Sequence, residues 1–271
     1  AIMNKLYMPF QPLLTDTGLA SFELGILEFP ASRWLQGIVH SYIQINTVKP
    51  TPYPVIPDGT QALFVSANGT MMSGGVTQAL ELQLPAAGEY FGIRFYPGAL
   101  RHLFKVDLNE ISNQLVDSQF LGSPFIDQLH QHVYQYADFR QRAQLCDQWL
   151  LQRLERQPRS VFEQALGLIY DSHGNIEIER ELAKNIGLSS RQLNRLFRRN
   201  TGFSTKSFAQ TIRFQHACQL LYVQPENSLE IAMNLGFFDQ AHLLKDFKKR
   251  LSQSPVAFFN RYMSDFYNRN P

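Results

Sequence analysis

The chain has only two cysteines in 271 residues, Cys146 and Cys218. Both sit inside helical patterns, which excludes a disulfide framework and a cysteine-rich zinc site. No apolar run approaches the ~20 residues that a membrane span needs, and no basic leader with an apolar core opens the chain. Membrane insertion and secretion are therefore not expected. A Walker-type glycine loop, a Ser-based elbow and a Cys-x-x-Cys pair are all missing. The single His-x-His pair, His130 and His132, falls in a helical pattern where positions i and i+2 diverge, while His40 and His102 stand alone in sequence. A metal-dependent barrel enzyme would need three or four converging ligands. No metal, no cofactor and no catalytic activity is expected.

Charge of either sign is also scarce overall, at 18% charged residues and a net +2, but it is unevenly spread. From Pro158 onward 15 Lys and Arg face 10 Asp and Glu, a net of +5; the preceding part carries 10 against 13, a net of −3. With 44% hydrophobic residues, the length suits two modest domains, each with its own core. The best boundary is Gln157-Pro158-Arg159-Ser160, where Pro ends one helix and Ser160 caps the next. We divide the chain into a β-rich domain over 1–124, a helical linker or dimerisation region over 125–157, and a helical domain over 158–271.

The basic part contains a short helical grammar written twice. Ala183-Lys-Asn-Ile-Gly187 is followed by Ser189 to Arg199 with Leu193 and Phe197; Ala232-Met-Asn-Leu-Gly236 is followed by Asp239 to Arg250 with Leu243 and Phe247. The small Ala permits close helix approach, the Gly suits a helix end, and Ser189 or Asp239 caps the next helix. Leu193 with Phe197, and Leu243 with Phe247, lie on buried faces at i, i+4. Two helix-turn-helix units follow, joined by one long helix over 205–223 and preceded by a helix over 161–170. The helix over 176–186 opens the first unit, and Ser254-Pro255 starts a last helix packed through Phe258, Phe259 and Tyr262.

On the first reader helix, Arg191, Asn194 and Arg195 have the chemistry to fork onto guanine or pair with adenine. On the second, the outward residues are Gln240, Ala241, His242, Leu244 and Lys245, a less polar set. Arg198, Arg199, Lys248, Lys249 and Arg250 have the character of phosphate clamps. These features predict a partner in double-stranded DNA, with the readers in successive major grooves roughly 34 Å apart. A cytoplasmic, nucleoid-associated location follows from that reading.

The N-terminal part reads as short strands separated by Gly and Pro turns, over 22–29, 39–45, 61–66, 71–76, 79–84 and 89–95, with an Asn68-Gly69 hairpin signal. His40, Tyr42 and Gln44 would share one strand face, with Val39, Ile43 and Ile45 on the other. Pro50, Pro52, Pro54 and Pro57 predict an extended loop. Such a pattern favours a compact barrel or sandwich over alternating strand and helix. Candidate ligand contacts are Trp34, Tyr42, Arg94 and Tyr96; the competing reading of Arg94 is an ion pair, with Glu89 nearby in sequence. A helical region over 126–154 carries an apolar stripe of Leu129, Val133, Tyr136, Leu145, Trp149 and Leu150, which serves either as an intrachain brace or as a homodimer surface.

Together, Ile231-Ala232-x-x-x-Gly236-Phe237, Phe247-Lys-Lys and Ser254-Pro255 resemble the C-terminal signature of the AraC/XylS transcription regulators. The resemblance covers about 110 residues. It implies an α+β chain: two helix-turn-helix units on a long linker helix, behind a small cupin-like β-barrel with flanking helices. By position the family's base-contacting residues fall on Arg191, Asn194, Arg195, Gln240, Ala241, His242, Leu244 and Lys245. Ser252 stands where the pattern usually has Gly, which a backbone short of the left-handed region would accommodate, and Phe259 replaces a basic residue. More faintly, Ile56-Pro-Asp-Gly59 and Gly92-Ile-Arg-Phe-Tyr-Pro-Gly98 resemble a barrel domain found ahead of such readers. The function implied is sequence-specific transcription regulation, controlled by a small-molecule effector in the barrel, with RNA polymerase as a partner for an activator. The alternatives are a barrel that only braces or dimerises the readers, and a barrel enzyme fused to them.

Overall fold

The computed structural model describes residues 7–11, 25–84, 86–154, 160–175, 179–224, 227–252, 254 and 257–258. The N-terminal strands are β1 (Gly25–Pro30), β2 (Val39–Thr47), β3 (Thr51–Val55), β4 (Gln61–Ser66), β5 (Gly69–Ser73), β6 (Leu80–Leu84), β7 (Gly88–Phe95) and β8 (Leu115–Asp117). Six form an antiparallel sheet in the order β1-β2-β7-β4-β5-β8, and β3 pairs with β6 in a separate two-stranded sheet. The expected barrel is thus two sheets; among the described residues no ladder closes them. The proline-rich stretch supplies the reason. Rather than a loop, it forms β3, in which Pro52 and Pro54 lack N–H donors at alternate positions. Such a strand can ladder along one edge only, so β3 cannot link β6 to the larger sheet.

One face of the larger sheet, with Tyr42, Leu63, Val65, Phe91, Ile93 and Phe95, packs on α1 (Ala99–Phe104), α2 (Pro124–Val133) and α3 (Phe139–Arg153). The helical region over 126–154 is therefore two helices, interrupted where Asp138 caps α3 through the Gln141 N–H at 3.0 Å. Leu129, Val133, Trp149 and Leu150 are buried in this core, whereas Tyr136 is exposed. Those four residues are covered by the chain's own sheet, and Leu145 is half-buried. On the other face, Ile43, Ile45, Phe64 and Tyr90 meet Tyr53 and Leu84 of the smaller sheet. A register shift between Val39 and Ser41 alters the expected alternation. Val39 joins Tyr42 in the helix-side core, and the His40 ring turns toward Arg94.

The helical domain comprises α4 (Val161–Asp171), α5 (Glu179–Asn185), α6 (Ser190–Thr201), α7 (Thr205–Val223), α8 (Ser228–Asn234) and α9 (Gln240–Leu251). Residues 176–178 of the expected first-unit helix, and Pro255, Phe259 and Tyr262, lie outside the described residues. Phe208, Ala209 and Ile212 at one end of α7 complete the core of the first unit with Phe162, Leu193 and Phe197. Phe214, Ala217, Cys218 and Leu221 at its other end complete the second with Ile231, Leu243 and Phe247. Each unit buries its apolar face on the same linker helix, so neither reader can turn independently of α7 without opening a core.

Candidate nucleic-acid interface

The two readers are positioned by the residues that their repeated grammar supplies. Ser189 accepts a hydrogen bond from the Gln192 N–H at 3.3 Å, and the Gln192 side chain accepts from the Ser189 N–H at 2.9 Å, closing a capping box at the start of α6. Asp239 accepts from the His242 N–H at 2.7 Å and opens α9 in the same way. The preceding turns use Gly187 and Gly236 at φ values of 72° and 71°, where a side chain would be strained. Ala183 and Ala232 are buried where the helices of each unit meet.

On α6 the side chains of Arg191, Arg195, Arg198 and Arg199 are exposed and share a broad cleft of about 780 Å³ with Lys206. Lys206 was not among the expected contacts. Its place in the first turn of α7, two residues after the Ser204 cap, reaches the cleft only through the α6–α7 corner. Asp107 and Asn109 of the N-terminal domain, with Glu179, line the same cleft. Asp107 and Glu179 set negative charge beside the arginines.

Asn194 is different. Its amide donates to the Glu179 carboxylate of α5, and its carbonyl accepts from the Thr205 N–H at 3.0 Å. It ties three helices together and is only half-exposed. Both ends of the amide are engaged within the protein, which gives Asn194 a structural role in the lining of the cleft. On α9 the residues Gln240, Ala241, His242, Leu244, Lys245, Lys248 and Lys249 are exposed. Gln240 Nε2 donates to Ser228 Oγ at 2.7 Å, and the Phe238 N–H donates to His242 Nδ1 at 3.2 Å.

Arg250 also departs from its expected role. It is 4% exposed, pairs with Asp246 at 3.1 Å, donates to Thr211 Oγ1 at 3.3 Å, and lies over the Phe214 ring. A helix positions successive residues ~100° apart, so Lys248 and Lys249 face out while Arg250 turns into the core. It is a buried brace, not a phosphate clamp. Ser252 takes φ 59° and ψ 13°, in the left-handed region, so the condition under which a Ser would sit here without strain is not met.

The N-terminal domain grips the far ends of both readers. The Leu108 N–H donates to the Arg199 carbonyl at 3.2 Å, Gln61 Nε2 to the Asn200 carbonyl at 3.0 Å, and Ser112 Oγ to the Gly202 carbonyl at 3.2 Å. At the second reader the Ala79 N–H donates to the Arg250 carbonyl at 2.6 Å. These bonds occupy carbonyls that a helix C-terminus leaves without intrahelical partners. Midway along α7, the buried Gln215 donates to the Pro57 carbonyl at 2.7 Å and accepts from the Phe10 N–H at 2.7 Å.

The four candidate ligand contacts of the N-terminal domain do not converge. Trp34 is exposed beneath Arg33. Tyr42 points to the helix side and donates to Asp147 at 2.6 Å, with burial and that carboxylate raising its phenol well above the usual range. Arg94 lies on the opposite face, paired with Asp58 at 2.8 Å and Glu28 at 3.6 Å, while Tyr96 sits edge-on to His40. Glu89 pairs instead with Arg142. Asp58 further accepts from Gln11 at 2.7 Å and from Thr60. The space beside Arg94 and Asp58 between the sheets is a cavity of about 40 Å³. Burial, together with the Arg94 charge, lowers the His40 pKa to about 4. Cys146 and Cys218 are buried free thiols pushed up by burial, so neither offers a thiolate. Among the described residues no group of three His, Cys, Asp or Glu gathers to hold a metal, and no helix is long and apolar enough to cross a membrane.

Residues 182–261 match the model of a helix-turn-helix domain, and residues 27–117 that of a domain of unknown function (DUF6597). The chain thus carries a helix-turn-helix domain in its C-terminal part behind a separate N-terminal β-sheet domain. The chain is 39% identical over 80 residues to the HTH-type transcriptional regulator GlxA of Rhizobium meliloti (strain 1021), covering 30% of this chain and 25% of that protein. It is 37% identical over 71 residues to the HTH-type transcriptional regulator MtrA of Neisseria gonorrhoeae, covering 26% and 24%. The chain thus spans about a quarter of these curated relatives. The solved structure of ToxT from Vibrio cholerae O395 aligns over 90% of this chain and 98% of that one, at 10% identity and a TM-score of 0.41.

Proposed function

We propose that this chain is an AraC/XylS-type regulator that binds duplex DNA in a sequence-specific way through both reader helices. One observation carries the reading: two capped helices, seated on one shared linker helix, each present an outward face of exposed polar and basic side chains while their apolar faces are buried. Arg191 and Arg195 read base edges in the first major groove, because their guanidiniums are exposed on the N-terminal half of α6. Arg198, Arg199, Lys248 and Lys249 neutralise phosphates, and Lys206 joins them at the first unit. Ala241, Leu244 and Lys245 face the second groove, with Gln240 and His242 holding the entry to α9. RNA polymerase is the natural partner if the bound site lies upstream of a promoter.

A second reading concerns the N-terminal domain. Its inter-sheet cavity of about 40 Å³ is far smaller than the ~300–1,000 Å³ of ordinary ligand pockets. An effector in that space would have to part the sheets. The bonds from Leu108, Gln61, Ser112 and Ala79 to the ends of α6 and α9 favour a brace that fixes how the readers sit. The apolar stripe of α2 and α3, spent on the domain's own sheet, leaves a homodimer to other surfaces.

Selection of bound duplexes from a random pool by the full chain, repeated with an Arg191→Ala/Arg195→Ala variant, tests the reading. The expected result is a site spanning two successive major grooves, lost in the variant while weak, salt-sensitive binding remains. Recovery of the same site by the variant would refute the assignment of base readers; no enriched site at all would refute sequence-specific binding.

A further inference from the structure

At the entry to the second reader stands a side chain that neither the helix-turn-helix core nor the phosphate contacts use. Phe238 is 86% exposed, the largest exposure of any aromatic residue described. The two units differ here by one residue. In the first, only Leu188 lies between Gly187 and the capping Ser189; in the second, Phe237 and Phe238 lie between Gly236 and the capping Asp239. Phe237 takes the inward place, 3% exposed and edge-on to the His242 ring. Phe238 is the additional residue and points out.

Its backbone is held. The Phe238 N–H donates to His242 Nδ1 at 3.2 Å, and the next residue caps α9 through the His242 N–H at 2.7 Å. The ring therefore projects from a fixed point at the N-terminal end of a reader helix, the end that meets base edges when such a helix enters the major groove. The surface continues as Ala241 and Leu244, the latter 40% exposed, and is bordered by the cations Lys245, Lys248 and Lys249. An apolar strip rimmed by positive charge suits a groove that offers apolar methyls between phosphates. In the major groove the only apolar group on a base edge is the thymine C5-methyl.

We propose that Phe238, together with Ala241 and Leu244, reads thymine methyl groups, so that the second half-site is specified by thymine positions where the first is read by arginines. The proposal rests on the DNA-binding reading above and assigns the base class recognised by its second unit. Phe238 lies just before the helix and so reaches the outermost position of that half-site.

The test replaces each thymine of the selected duplex in turn by uracil, which removes the methyl and leaves the pairing edge unchanged, and measures binding by the full chain and by Phe238→Ser. Being 86% exposed, Phe238 tolerates the change without loss of core, which circular dichroism checks. For the unsubstituted chain, uracil at one or two second-half positions should weaken binding about fourfold each, the worth of one buried methyl group. Phe238→Ser should bind the thymine duplex correspondingly less well and be indifferent to uracil at the outermost of those positions, with first-half positions unaffected. A selected site at which uracil costs nothing anywhere in the second half, or costs the same in both proteins, overturns the proposal and leaves sequence-specific binding standing. Methyl independence accompanied by self-association that Phe238→Ser abolishes would give the strip to a second copy instead. Failure to select any site would remove the DNA reading itself.

Discussion

Arg250 and Lys249 are neighbours in sequence with the same charge, and their exchange for neutral residues should have opposite consequences. Arg250 is 4% exposed and joins Asp246, Thr211 and the Phe214 ring in one contact set, while its carbonyl receives the Ala79 N–H from the N-terminal domain. Replacing it by Met keeps most of the volume but takes the ion-pair partner from Asp246, whose side chain is 12% exposed. Breaking a buried pair on one side costs about 3–5 kcal/mol, and the partial exposure of Asp246 places the expected loss near the lower figure. Lys249 is exposed, and Lys249→Ala should change stability by less than about 0.5 kcal/mol. In binding the order reverses. Each phosphate contact adds about 0.9 to the slope of log K against log salt concentration, so Lys249→Ala should flatten that slope by about 0.9. Arg250→Met should leave it unchanged under conditions where the variant is folded. Urea unfolding gives the first quantity and duplex binding from low to moderate salt the second. A flattened slope for Arg250→Met with an unchanged urea midpoint would refute the buried-brace assignment.

Asn194→Ala should destabilise the helical domain by about 1–3 kcal/mol, because the Glu179 carboxylate and the Thr205 N–H both lose their partner; selection by the variant should still return the unsubstituted protein's site, and relaxed bases there would show Asn194 to be a reader after all. Ser252→Gly should stabilise by about 1 kcal/mol in urea unfolding, since the position sits at φ 59° where a Cβ is unfavourable. His40 binds its proton with a pKa of about 4 in the fold against 6.5 unfolded, so the unfolded chain holds more protons between those values. Stability should therefore fall as pH drops from 7 toward 4, by about 2 kcal/mol at pH 5 from this group, and His40→Asn should remove that part of the pH dependence.

Much of the reader domain was legible because its signals are local. A cap, a small Ala, a Gly at a helix end and an i, i+4 apolar pair each act within a few residues, and Ser189, Ala183, Gly187, Leu193 and Phe197 stand where those rules place them. The run Lys248-Lys249-Arg250 reads in one dimension as a single set of phosphate clamps, and there a linear pattern reaches its limit. Lys248, Lys249 and Arg250 are equivalent as a charge run, but a helix turns each to a different direction. Asn194 has the chemistry of a base reader; only the approach of α5 and the start of α7 to α6 shows that its amide is already used. The strands were found by alternation and turn residues, whereas sheet closure depends on pairing between distant segments. In β3 the proline run that suggested a loop instead limits a strand to one ladder.

By itself the sequence determined two similar helical units on one linker helix, their caps and turns, a basic C-terminal domain and a β-rich N-terminal one. These follow from periodicity, capping chemistry and charge, which a chain carries wherever it folds. The tertiary structure decided which of the polar side chains remain outward, that the N-terminal strands form two sheets rather than a barrel, and that the N-terminal domain holds the ends of both readers. Those outcomes depend on contacts between residues far apart in sequence, such as Gln61 with Asn200, Ala79 with Arg250 and Pro57 with Gln215, and no local pattern encodes which distant surface a side chain will meet.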